Sequence, residues 1–590
     1  MDTVKSFKGY GKVDEHEDLE FRRKTRKRLI IISVSVILLL TIIVGAVVGT
    51  VIHKSKNDDD GQNEQTPSSS ETSVAQSIKA VCSVTQYPNS CFSSLSSLAA
   101  QKTTDPEELF KLSLQVALTE LSKLASLPTK LIPKVNGDPL LVLTLRDCQT
   151  QFEDAIDQLN MSISSMQVSQ GEKLLSASKI SDLRTWLSAA ITNEQSCLDG
   201  LQELNSTTAA NVLEELRVAM KNSTEFTSNS LAIVSKILTL LENLDIPIHR
   251  KLLDVGSDSD EFPAWMHPDD RRLLQETGVT PDVVVAKDGS GKYKTIEEAV
   301  VVVPKKSVKR FVIYVKAGMY VENVVVDKSK WNVMMYGDGI GKTIVSGRSN
   351  VKDGTPTFST ATFAVAGKGF IAKDMSFINT AGPEKHQAVA LRSGSDLSVF
   401  YRCSFDGYQD TLYAHSNRQF YRECDITGTI DFIFGNAAVV FQNCNIRPRQ
   451  PMSNQFNTIT AQGKTDANQN SGISIQKCQL VSAGANLTAK TYLGRPWKPY
   501  STTVIMQSTI GGFLDPAGWI SWVSNVDPPT TIYYAEYMNT GPGATTDNRV
   551  KWAGYKPTIS ATEAAKFTVD SFIQGSQWLP ETKVTYGATL

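Results

Sequence analysis

Apolar residues follow three different spacings along this chain of 590 residues. Residues 29–52 form one uncharged apolar run, whereas from about residue 74 to 245 apolar residues recur at spacings of three and four, as in Leu109–Leu118. From residue 276 to 590, short apolar runs alternate with polar residues at the period of a β-strand. These patterns predict one transmembrane helix, an all-α helical bundle and an all-β domain, in that order.

Polar segments separate these parts. We interpret residues 1–28 as a cytoplasmic tail and residues 53–73, which contain Asp58–Asp60 and Ser68–Ser70, as a flexible stalk. Residues 246–275 are a polar linker between the helical pattern and the strand pattern.

The strand pattern repeats. Its short apolar runs can be aligned on one anchor position, which is occupied in turn by Phe377, Phe405, Ile426, Ile446 and Leu480. Successive anchors are 28, 21, 20 and 34 residues apart. Two residues before each anchor, the same slot is filled by Met375, Cys403, Cys424, Cys444 and Cys478. A slot that recurs at this period without a helical pattern predicts a right-handed parallel β-helix.

Two carboxylates lie one period of this repeat apart. Asp410 and Asp431 are separated by 21 residues, and strands of adjacent coils are about 4.8 Å apart. Two carboxyl groups this close raise the pKa of one while the other stays low, which provides an acid beside a nucleophile. Gln387 and Gln409, 22 residues apart, stack likewise and can donate to an oxyanion. The set indicates acyl transfer; the alternative is that each residue lies in a solvated turn.

Five motif blocks follow one another in the last domain: Gly318–Glu322, Gln387–Leu391, Tyr408–Leu412, Gly428–Asn436 and Leu493–Trp497. Through these blocks the domain resembles plant pectin methylesterases. The resemblance implies a pectinesterase acting on the C6 methyl esters of pectin (homogalacturonan), with Asp431 as nucleophile and Gln387 and Gln409 at the oxyanion. Asp410 would protonate methanol and then activate water, and Arg495 would keep Asp431 ionised and oriented.

The resemblance also implies a sugar-binding groove. Its substrate-binding residues would be Gln387, Thr357, Phe434, Tyr413, Arg495 and Trp497. Aromatic faces suit pyranose rings, although plain packing between coils would equally explain the aromatic residues.

The strand domain lacks the sequence motifs that other hydrolase mechanisms require. The strand domain has His386 and His415 as its histidines and contains neither a Gly-x-Ser-x-Gly elbow nor a His-Glu-x-x-His motif. A depolymerase of the polygalacturonase type would require Gly-His-Gly, which is absent after residue 270. We therefore expect no metal or organic cofactor, no nucleic-acid partner, and structural roles for His415 and Glu322.

The run 29–52 predicts a signal anchor. Its 24 uncharged residues would span roughly 36 Å as a helix. The basic segment Arg22–Arg28 before it places the N-terminus in the cytoplasm, so that the remaining chain would face the lumen as a single-pass type II membrane precursor.

Two features agree with the secretory pathway. N-glycosylation sequons lie at Asn160, Asn205, Asn222 and Asn486. The nearest pairings of the eight cysteines are Cys82 with Cys91, Cys148 with Cys197, Cys403 with Cys424, and Cys444 with Cys478. A reduced, packed thiol row is the alternative for cysteines in stacked coils.

The helical region 74–245 resembles the pectin methylesterase inhibitor family, through Thr85–Cys91, Thr185–Asn193 and Cys197–Gly200, although Phe152 replaces the usual Tyr. Residues 276–590 carry 32 Lys and Arg against 25 Asp and Glu, whereas residues 29–275 carry 19 against 30. The opposite charges favour pairing of the esterase with its own pro-domain or with separate inhibitor proteins, and a basic enzyme suits an anionic polymer.

The linker carries two basic pairs, Arg250-Lys251 and Arg271-Arg272. Exposed linkers are where proteases cut, so we expect cleavage in the Golgi and a mature enzyme, starting near Gln275, secreted to the cell wall. The alternative from another class is a non-catalytic protein whose helical domain restrains other esterases.

Overall fold

The computed structural model describes residues 69–98, 103–135, 137–167, 176–238 and 280–590. Its first part is helical and consists of α1 (Ser69–Cys82), α2 (Pro88–Leu98), α3 (Pro106–Leu124), α4 (Leu127–Leu131), α5 (Pro139–Ser165), α6 (Ala177–Gln202) and α7 (Thr207–Ile233). A 3₁₀ turn, Ile132–Val135, follows α4, and a π turn, Val234–Leu238, follows α7.

Side-chain caps define where the long helices begin. Asp105 accepts the Glu107 amide at 3.0 Å ahead of α3, and Ser176 accepts the Lys179 amide at 3.3 Å ahead of α6. Such caps satisfy amides that have no partner within the helix. The apolar faces then pack into one core that includes Phe110, Leu145 and Leu187, which confirms the predicted bundle.

Two disulfides tie the bundle. Cys82 bonds Cys91, and Cys148 bonds Cys197 between α5 and α6. Both are pairings that the spacing predicted. The second bond closes a loop of 49 residues and fixes the two helices that pack most extensively against each other.

The second part is a coil of short parallel strands in three sheets. Sheet A comprises β1 (Val283–Val285), β2 (Phe311–Val315), β5 (Val333–Tyr336), β8 (Ile371–Lys373), β11 (Ser398–Tyr401), β14 (Arg418–Arg422), β17 (Ala438–Gln442), β20 (Gly472–Gln476), β23 (Thr502–Met506), β25 (Tyr533–Tyr537) and β26 (Tyr555–Lys556). Sheet B comprises β3 (Gly318–Val321), β6 (Thr343–Gly347), β9 (Ser376–Asn379), β12 (Ser404–Asp406), β15 (Asp425–Gly428), β18 (Asn445–Pro448), β21 (Gln479–Leu480) and β24 (Thr509–Ile510). Sheet C comprises β4 (Val324–Val326), β7 (Phe363–Val365), β10 (Leu391–Ser393), β13 (Leu412–Ala414), β16 (Ile433–Gly435), β19 (Asn457–Gln462) and β22 (Thr491–Gly494).

The predicted register is confirmed along sheet B. Phe377 pairs with Phe405, Phe405 with Ile426, Ile426 with Ile446, and Ile446 with Leu480. Identical positions therefore stack from coil to coil, and the interior fills with rows of side chains. The rings of Phe377 and Phe405 stack with their centroids 5.7 Å apart. The repeat in the sequence therefore corresponds to a row of stacked side chains in the core.

Short helices and turns complete the β-helix. Helix α8 (Ile296–Val301) lies near its start, and the carboxylate of Glu322 accepts the amides of Ile296 and Glu297 at 3.0 Å each; the structural role expected of Glu322 is confirmed. Helices α9 (Ala561–Ala565) and α10 (Val569–Ile573) follow β26, and the α10 region packs Val569 and Trp578 on the outer face of sheet A. The 3₁₀ turns are Thr357–Thr360, Pro383–Lys385, Gly575–Gln577 and Leu579–Thr582.

The predicted fold is wrong in its transmembrane helix. Among the helices that the structure describes, none combines the length and the apolar character needed to cross a bilayer. The long ones, such as α5 and α7, carry charged residues on their outer faces because they belong to a bundle. The run 29–52, on which the prediction was placed, lies outside the described residues. The described fold is therefore a helical bundle followed by a parallel β-helix.

Several other predictions also fall outside the described part. These are the tail 1–28, the linker 246–275 and its cleavage residues Arg250, Lys251, Arg271 and Arg272. Helix α1 begins at Ser69, which lies inside the predicted stalk 53–73, so the stalk prediction extends too far. The four sequon asparagines, Asn160, Asn205, Asn222 and Asn486, are exposed, and their glycosylation stays a prediction.

Two predicted bridges are not formed in the β-helix. Cys403, Cys424, Cys444 and Cys478 are buried free thiols. Each one precedes a strand of sheet B, and the thiols contact backbone rather than bond each other: Cys424 Sγ donates to Phe400 O at 3.3 Å, and Cys444 N donates to Cys478 Sγ at 3.3 Å. Burial raises the pKa of Cys403 to about 12. The side chains therefore act as small apolar residues.

This arrangement predicts four thiols that react only after unfolding. The native chain should give almost no colour with a thiol-specific disulfide reagent, and the chain in guanidinium should titrate about four thiols. The two bridges of the bundle are the internal control, because reduction should raise the count under denaturing conditions to about eight. No titratable thiol in the unreduced, unfolded chain would instead show that the row is bridged.

Candidate active site

The coil register brings Asp410 and Asp431 together. Each lies two residues before a strand of sheet C, and Leu412 of β13 pairs with Ile433 of β16. The Asp410 amide donates to Ile430 O at 3.0 Å, and both aspartates have left-handed backbone, with φ of 63° and 51°. This uncommon conformation turns the chain sharply into the strand. The predicted adjacency of the two residues is confirmed.

Asp431 is held from two sides. Arg495, which follows β22, donates Nε to Oδ1 at 2.9 Å and Nη2 to Oδ2 at 2.6 Å. Thr458 of β19 donates Oγ1 to Oδ1 at 2.6 Å and accepts the Asp431 amide at 2.8 Å. Burial alone would lower the pKa of Arg495, but the Asp431 carboxylate raises it above its ordinary value. A two-pronged, charge-assisted pair of this kind fixes the plane of the carboxylate.

Asp410 has a different environment. It is buried, and burial, followed by the neighbouring charges of Asp431 and Glu203, raises its pKa well above the ordinary value, while Arg495 acts in the opposite direction. The sequence predicted that one acid of the pair would have a raised pKa, and the structure places that shift on Asp410. Because the neutral form of Asp410 is favoured, it can donate a proton.

The two glutamines complete the polar rim. Gln387 and Gln409 line the same cavity of about 440 Å³ as Asp410, Asp431 and Arg495. The Ala388 amide donates to Gln409 O at 3.2 Å, which links the coils that carry the two glutamines. Their neutral amides therefore lie beside the two acids, as an oxyanion site requires.

Aromatic side chains form one wall of the cavity. Phe434 stacks on Tyr413 at 4.2 Å, and its ring centroid lies 6.4 Å from that of Trp497. Trp497 in turn lies 6.2 Å from Trp522, whose ring is 4.3 Å from the guanidinium carbon of Arg495. The predicted aromatic set is thus contiguous with the charged set, and sequence reasoning missed Trp522 because it lies in a loop outside the repeat.

Thr357 and Tyr413 lie deeper under the helical domain. Both line a small space with Pro356, Asp147 and Ser196. Thr357 donates Oγ1 to Glu203 Oε2 at 2.7 Å. In this structure these two predicted substrate-binding residues are covered by the bundle.

Helix α6 lies over the cavity lined by Asp410, Asp431 and Arg495, which we call the cleft. Asn436 donates Nδ2 to Thr192 Oγ1 at 2.9 Å, and Gln469 donates Nε2 to Ser188 O at 2.9 Å. These contacts lie within one compact unit, Ser69–Leu590. The segment Thr185–Asn193, which carries the inhibitor resemblance, is therefore part of the face of the bundle that contacts the β-helix.

The end of α6 also reaches the cavity itself. Asp199, Gln202 and Glu203 line it together with the two aspartates, and Asp199 pairs with Lys498 Nζ at 2.5 Å. Sequence reasoning missed Asp199, Glu203, Lys498 and Thr458. Asp199 was within a quoted motif, but only the packing of the two domains shows that it faces the acids.

His415 is structural in this arrangement. It is buried, and its Nε2 lies 2.9 Å from Ser196 Oγ of the bundle. Burial, followed by the charge of Arg392, lowers its pKa to about 3, so that the neutral ring is favoured. The expected structural role of His415 is confirmed.

Comparison with known proteins agrees with both parts. The pectinesterase family model matches residues 282–576, and the plant invertase/pectin methylesterase inhibitor model matches residues 76–233. Over its whole length the chain is 61% identical to pectinesterase 3 of Phaseolus vulgaris, of which it covers 100%. It is 60% identical to pectinesterase 1 of Arabidopsis thaliana, with 99% of each chain covered.

A solved structure covers the esterase part. The chain is 55% identical to pectin methylesterase from carrot, with a TM-score of 0.52, over 54% of this chain and 100% of the carrot chain. The carrot protein thus corresponds to the β-helix without the bundle. The chain therefore belongs to the pectinesterase family, carboxylic ester hydrolases that demethylesterify pectin, and carries a domain of the plant invertase/pectin methylesterase inhibitor family ahead of its esterase domain.

Proposed function

We propose that this enzyme hydrolyses the C6 methyl esters of homogalacturonan through a covalent intermediate on Asp431. One observation carries the proposal: Arg495 donates two hydrogen bonds to the Asp431 carboxylate, and both residues line the same cavity as the buried Asp410. A carboxylate held in one plane is a ready nucleophile, and a neighbouring acid with raised pKa supplies the proton.

The first half-reaction forms the acyl-enzyme. An oxygen of Asp431 attacks the ester carbonyl carbon, and the amides of Gln387 and Gln409 stabilise the charge on the carbonyl oxygen. When the C–O bond to the methoxy group breaks, Asp410 gives its proton to the leaving oxygen and methanol departs. The products of this step are an anhydride between Asp431 and the sugar, and an ionised Asp410.

The second half-reaction restores the enzyme. Asp410 takes a proton from water, which attacks the sugar carbonyl of the anhydride. The bond to Asp431 breaks and leaves a galacturonic acid carboxyl group, an ionised Asp431 and a protonated Asp410. The new carboxyl group then gives its own proton to bulk water and becomes a carboxylate. No group besides these side chains and water is needed for the atoms and charges to balance.

The helical domain is proposed to act as an intramolecular inhibitor. Its helix α6 covers Thr357 and Tyr413 and places Asp199 and Glu203 at the cleft, so that a polymer cannot reach Asp431 while the bundle is in place. We propose that cleavage within 246–275 releases the domain 276–590 to the cell wall. Exposed sequons and two disulfides in the bundle support passage through the secretory pathway.

The esterase part can be tested alone. Its core, which includes Phe377, Phe405 and Ile426, is separate from the core of the bundle, and the carrot structure is such a domain without a bundle. A fragment 276–590 should therefore fold and release methanol from methylated pectin. A folded fragment that releases no methanol would reject the proposal in favour of a non-catalytic binding protein.

A further inference from the structure

A second cavity lies between the helical domain and the esterase, and it shares no described lining residue with the cleft. Its volume is about 350 Å³, which is within the size range of small-molecule sites. Two contacts between the domains flank it. Lys328 Nζ lies 2.9 Å from Asp157 Oδ2 of α5, and Trp186 Nε1 of α6 donates to Asp396 Oδ2 at 3.2 Å. Because its walls come from both domains, the cavity exists only while they are docked.

Asn160 lies at the rim of this interdomain cavity. It is an exposed residue of α5, and it is one of the residues that line the cavity. With Met161 and Ser162 it forms an N-glycosylation sequon. The sequon residue Asn222 of α7 is also exposed but does not line the cavity. A glycan on Asn160 would therefore begin where the two domains meet, whereas a glycan on Asn222 would begin elsewhere on the bundle.

The esterase wall of the interdomain cavity has the side chains that bind sugars. Trp331 lines this wall and is partly exposed, and its Nε1 donates to Lys328 O at 2.9 Å, which fixes the indole ring. The ammonium of Lys306 lies 5.8 Å from the centroid of the Trp331 ring, and Lys368 lines the same wall. An aromatic ring can pack on the face of a pyranose, and an ammonium donates to hydroxyl and amide oxygens. An N-acetylglucosamine unit can use both kinds of contact.

We propose that Asn160 carries an N-linked glycan whose first N-acetylglucosamine units occupy the interdomain cavity and contact Trp331. The donor is an oligosaccharide on a lipid pyrophosphate, the class of donor that the secretory pathway supplies. Asn160 Nδ2 loses a proton and bonds C1 of the first sugar, while the C1–O bond breaks and the pyrophosphate leaves with its electron pair.

The attached sugar should strengthen the docking of the helical domain. The covalent bond to Asn160 keeps the sugar at a high effective concentration beside the cavity. Because the cavity exists only in the docked chain, contacts made inside it stabilise docking. The glycan is then part of the surface through which the helical domain restrains the esterase. This last step rests on the proposed inhibition by the helical domain, whereas the position of the glycan does not.

Hydroxyl-radical footprinting tests where the glycan lies. The chain is secreted from mammalian cells and purified uncleaved, and mass spectrometry shows whether Asn160 is occupied. Trp331 should be oxidised about 5-fold more slowly in this chain than in Asn160→Gln, because the sugar covers the indole ring. Asn222→Gln, which removes a glycan elsewhere on the bundle, is the matched control and should change the Trp331 rate by less than about 2-fold.

Trimming with an endoglycosidase, which leaves one N-acetylglucosamine on each asparagine, tests which sugars matter. The trimmed chain should keep most of the protection of Trp331, since the first sugar lies in the cavity. An unoccupied Asn160, loss of protection on trimming, or an unchanged Trp331 rate in Asn160→Gln would each overturn the inference, and the unchanged rate would indicate that water fills the cavity.

Methanol release by the uncleaved, glycosylated chain tests the effect on docking. Asn160→Gln and Trp331→Ala should each raise its rate by about 5-fold, because each weakens the docked state. The double variant should gain no more than either change alone, since both remove the same contact. Additive gains would show that Trp331 acts independently of the glycan and would overturn the proposed contact.

Fragment 276–590, which lacks Asn160, separates the two proposals. If the folded fragment releases no methanol, the proposed function is rejected, while the footprinting result still decides where the glycan lies. If the fragment is active and Asn160→Gln does not change the rate of the uncleaved chain, the role of the glycan in docking is rejected alone.

Discussion

Replacing Asp431 with Asn in fragment 276–590 is expected to reduce methanol release from methylated pectin at least 1000-fold, roughly the loss seen when a nucleophile is removed. The amide has the shape of the carboxylate, but it cannot form the acyl-enzyme. Arg495 loses its charged partner, which is 7% exposed, so a lower thermal midpoint is expected as well. Methanol is measured at a temperature well below that midpoint, with circular dichroism as the check on folding.

Asp374 provides a matched control for this substitution. It also has left-handed backbone, with φ of 56°, and it also accepts two hydrogen bonds from one arginine, Arg402, at 2.7 and 2.8 Å. It precedes strand β9 of sheet B and does not line the cleft. Asp374→Asn should therefore leave methanol release within about 2-fold, and a folded Asp431→Asn fragment with unchanged turnover would refute the nucleophile.

The second large effect is inhibition by the helical domain, and it should depend on pH. At pH 5 the uncleaved chain should release methanol at least about 100-fold more slowly than fragment 276–590, because α6 covers the cleft. As pH rises to 8 the difference should narrow. Dividing the rate of the uncleaved chain by the rate of the fragment at each pH removes the pH dependence of the chemistry itself.

The raised pKa of Glu203 determines the direction in which inhibition changes with pH. Burial in the docked state raises its pKa from 4.5 to about 7, with the hydrogen bond from Thr357 and the charge of Lys498 acting against burial and Asp199 acting with it. The docked form therefore binds the extra proton. Docking has its full strength below pH 4.5 and weakens as pH rises through about 7. Because part of the Glu203 residue is exposed to solvent, screening keeps the contribution of this one group small.

Other buried carboxylates of the bundle act in the same direction. Burial raises the pKa of Asp147 and of Asp154 to about 6 each, and both face the esterase, Asp147 through Ser359 and Asp154 through Lys328. Glu203→Gln should therefore flatten the pH dependence of inhibition without removing it. Glu214→Gln on an exposed ion pair of α7 is the control. An inhibition ratio that is constant from pH 5 to 8 would contradict this mechanism.

The fold of the described residues could be predicted in its two parts because both depend on local periodicity. The spacing of three and four predicted the bundle, and the anchors at Phe405 and Ile426 predicted which residues pair, since each coil carries the same slot once per turn even where its turns differ in length. The same register predicted that Cys403, Cys424, Cys444 and Cys478 form a row, but it did not decide whether these cysteines are bridged or reduced. Spacing brings thiols near each other in either case, and only the path of the backbone decides whether Sγ meets Sγ or a carbonyl oxygen.

The transmembrane prediction was based on the length of the uncharged run 29–52 and on the basic segment before it, and that run lies outside the described residues. None of the described helices has the length and apolar character of a span. The helices that do exist, such as α5, were recognisable because their apolar residues lie on one face. Amphipathic spacing thus carried the reliable information about the described fold.

The sequence by itself determined that Asp410 and Asp431 are neighbours, because both lie at the same place in consecutive coils and the coil length is fixed by the pairing of strands. The resemblance of the motif blocks implied which aspartate pairs with Arg495, and the tertiary structure supplies the physical reason for the difference between the two acids. Arg495, 64 residues after Asp431, reaches that aspartate, and burial together with its neighbours' charges raises the pKa of Asp410. Only the tertiary structure also showed that Asp199 and Glu203 of a separate domain close the cleft, since contacts between two independently folded surfaces leave no period in the sequence.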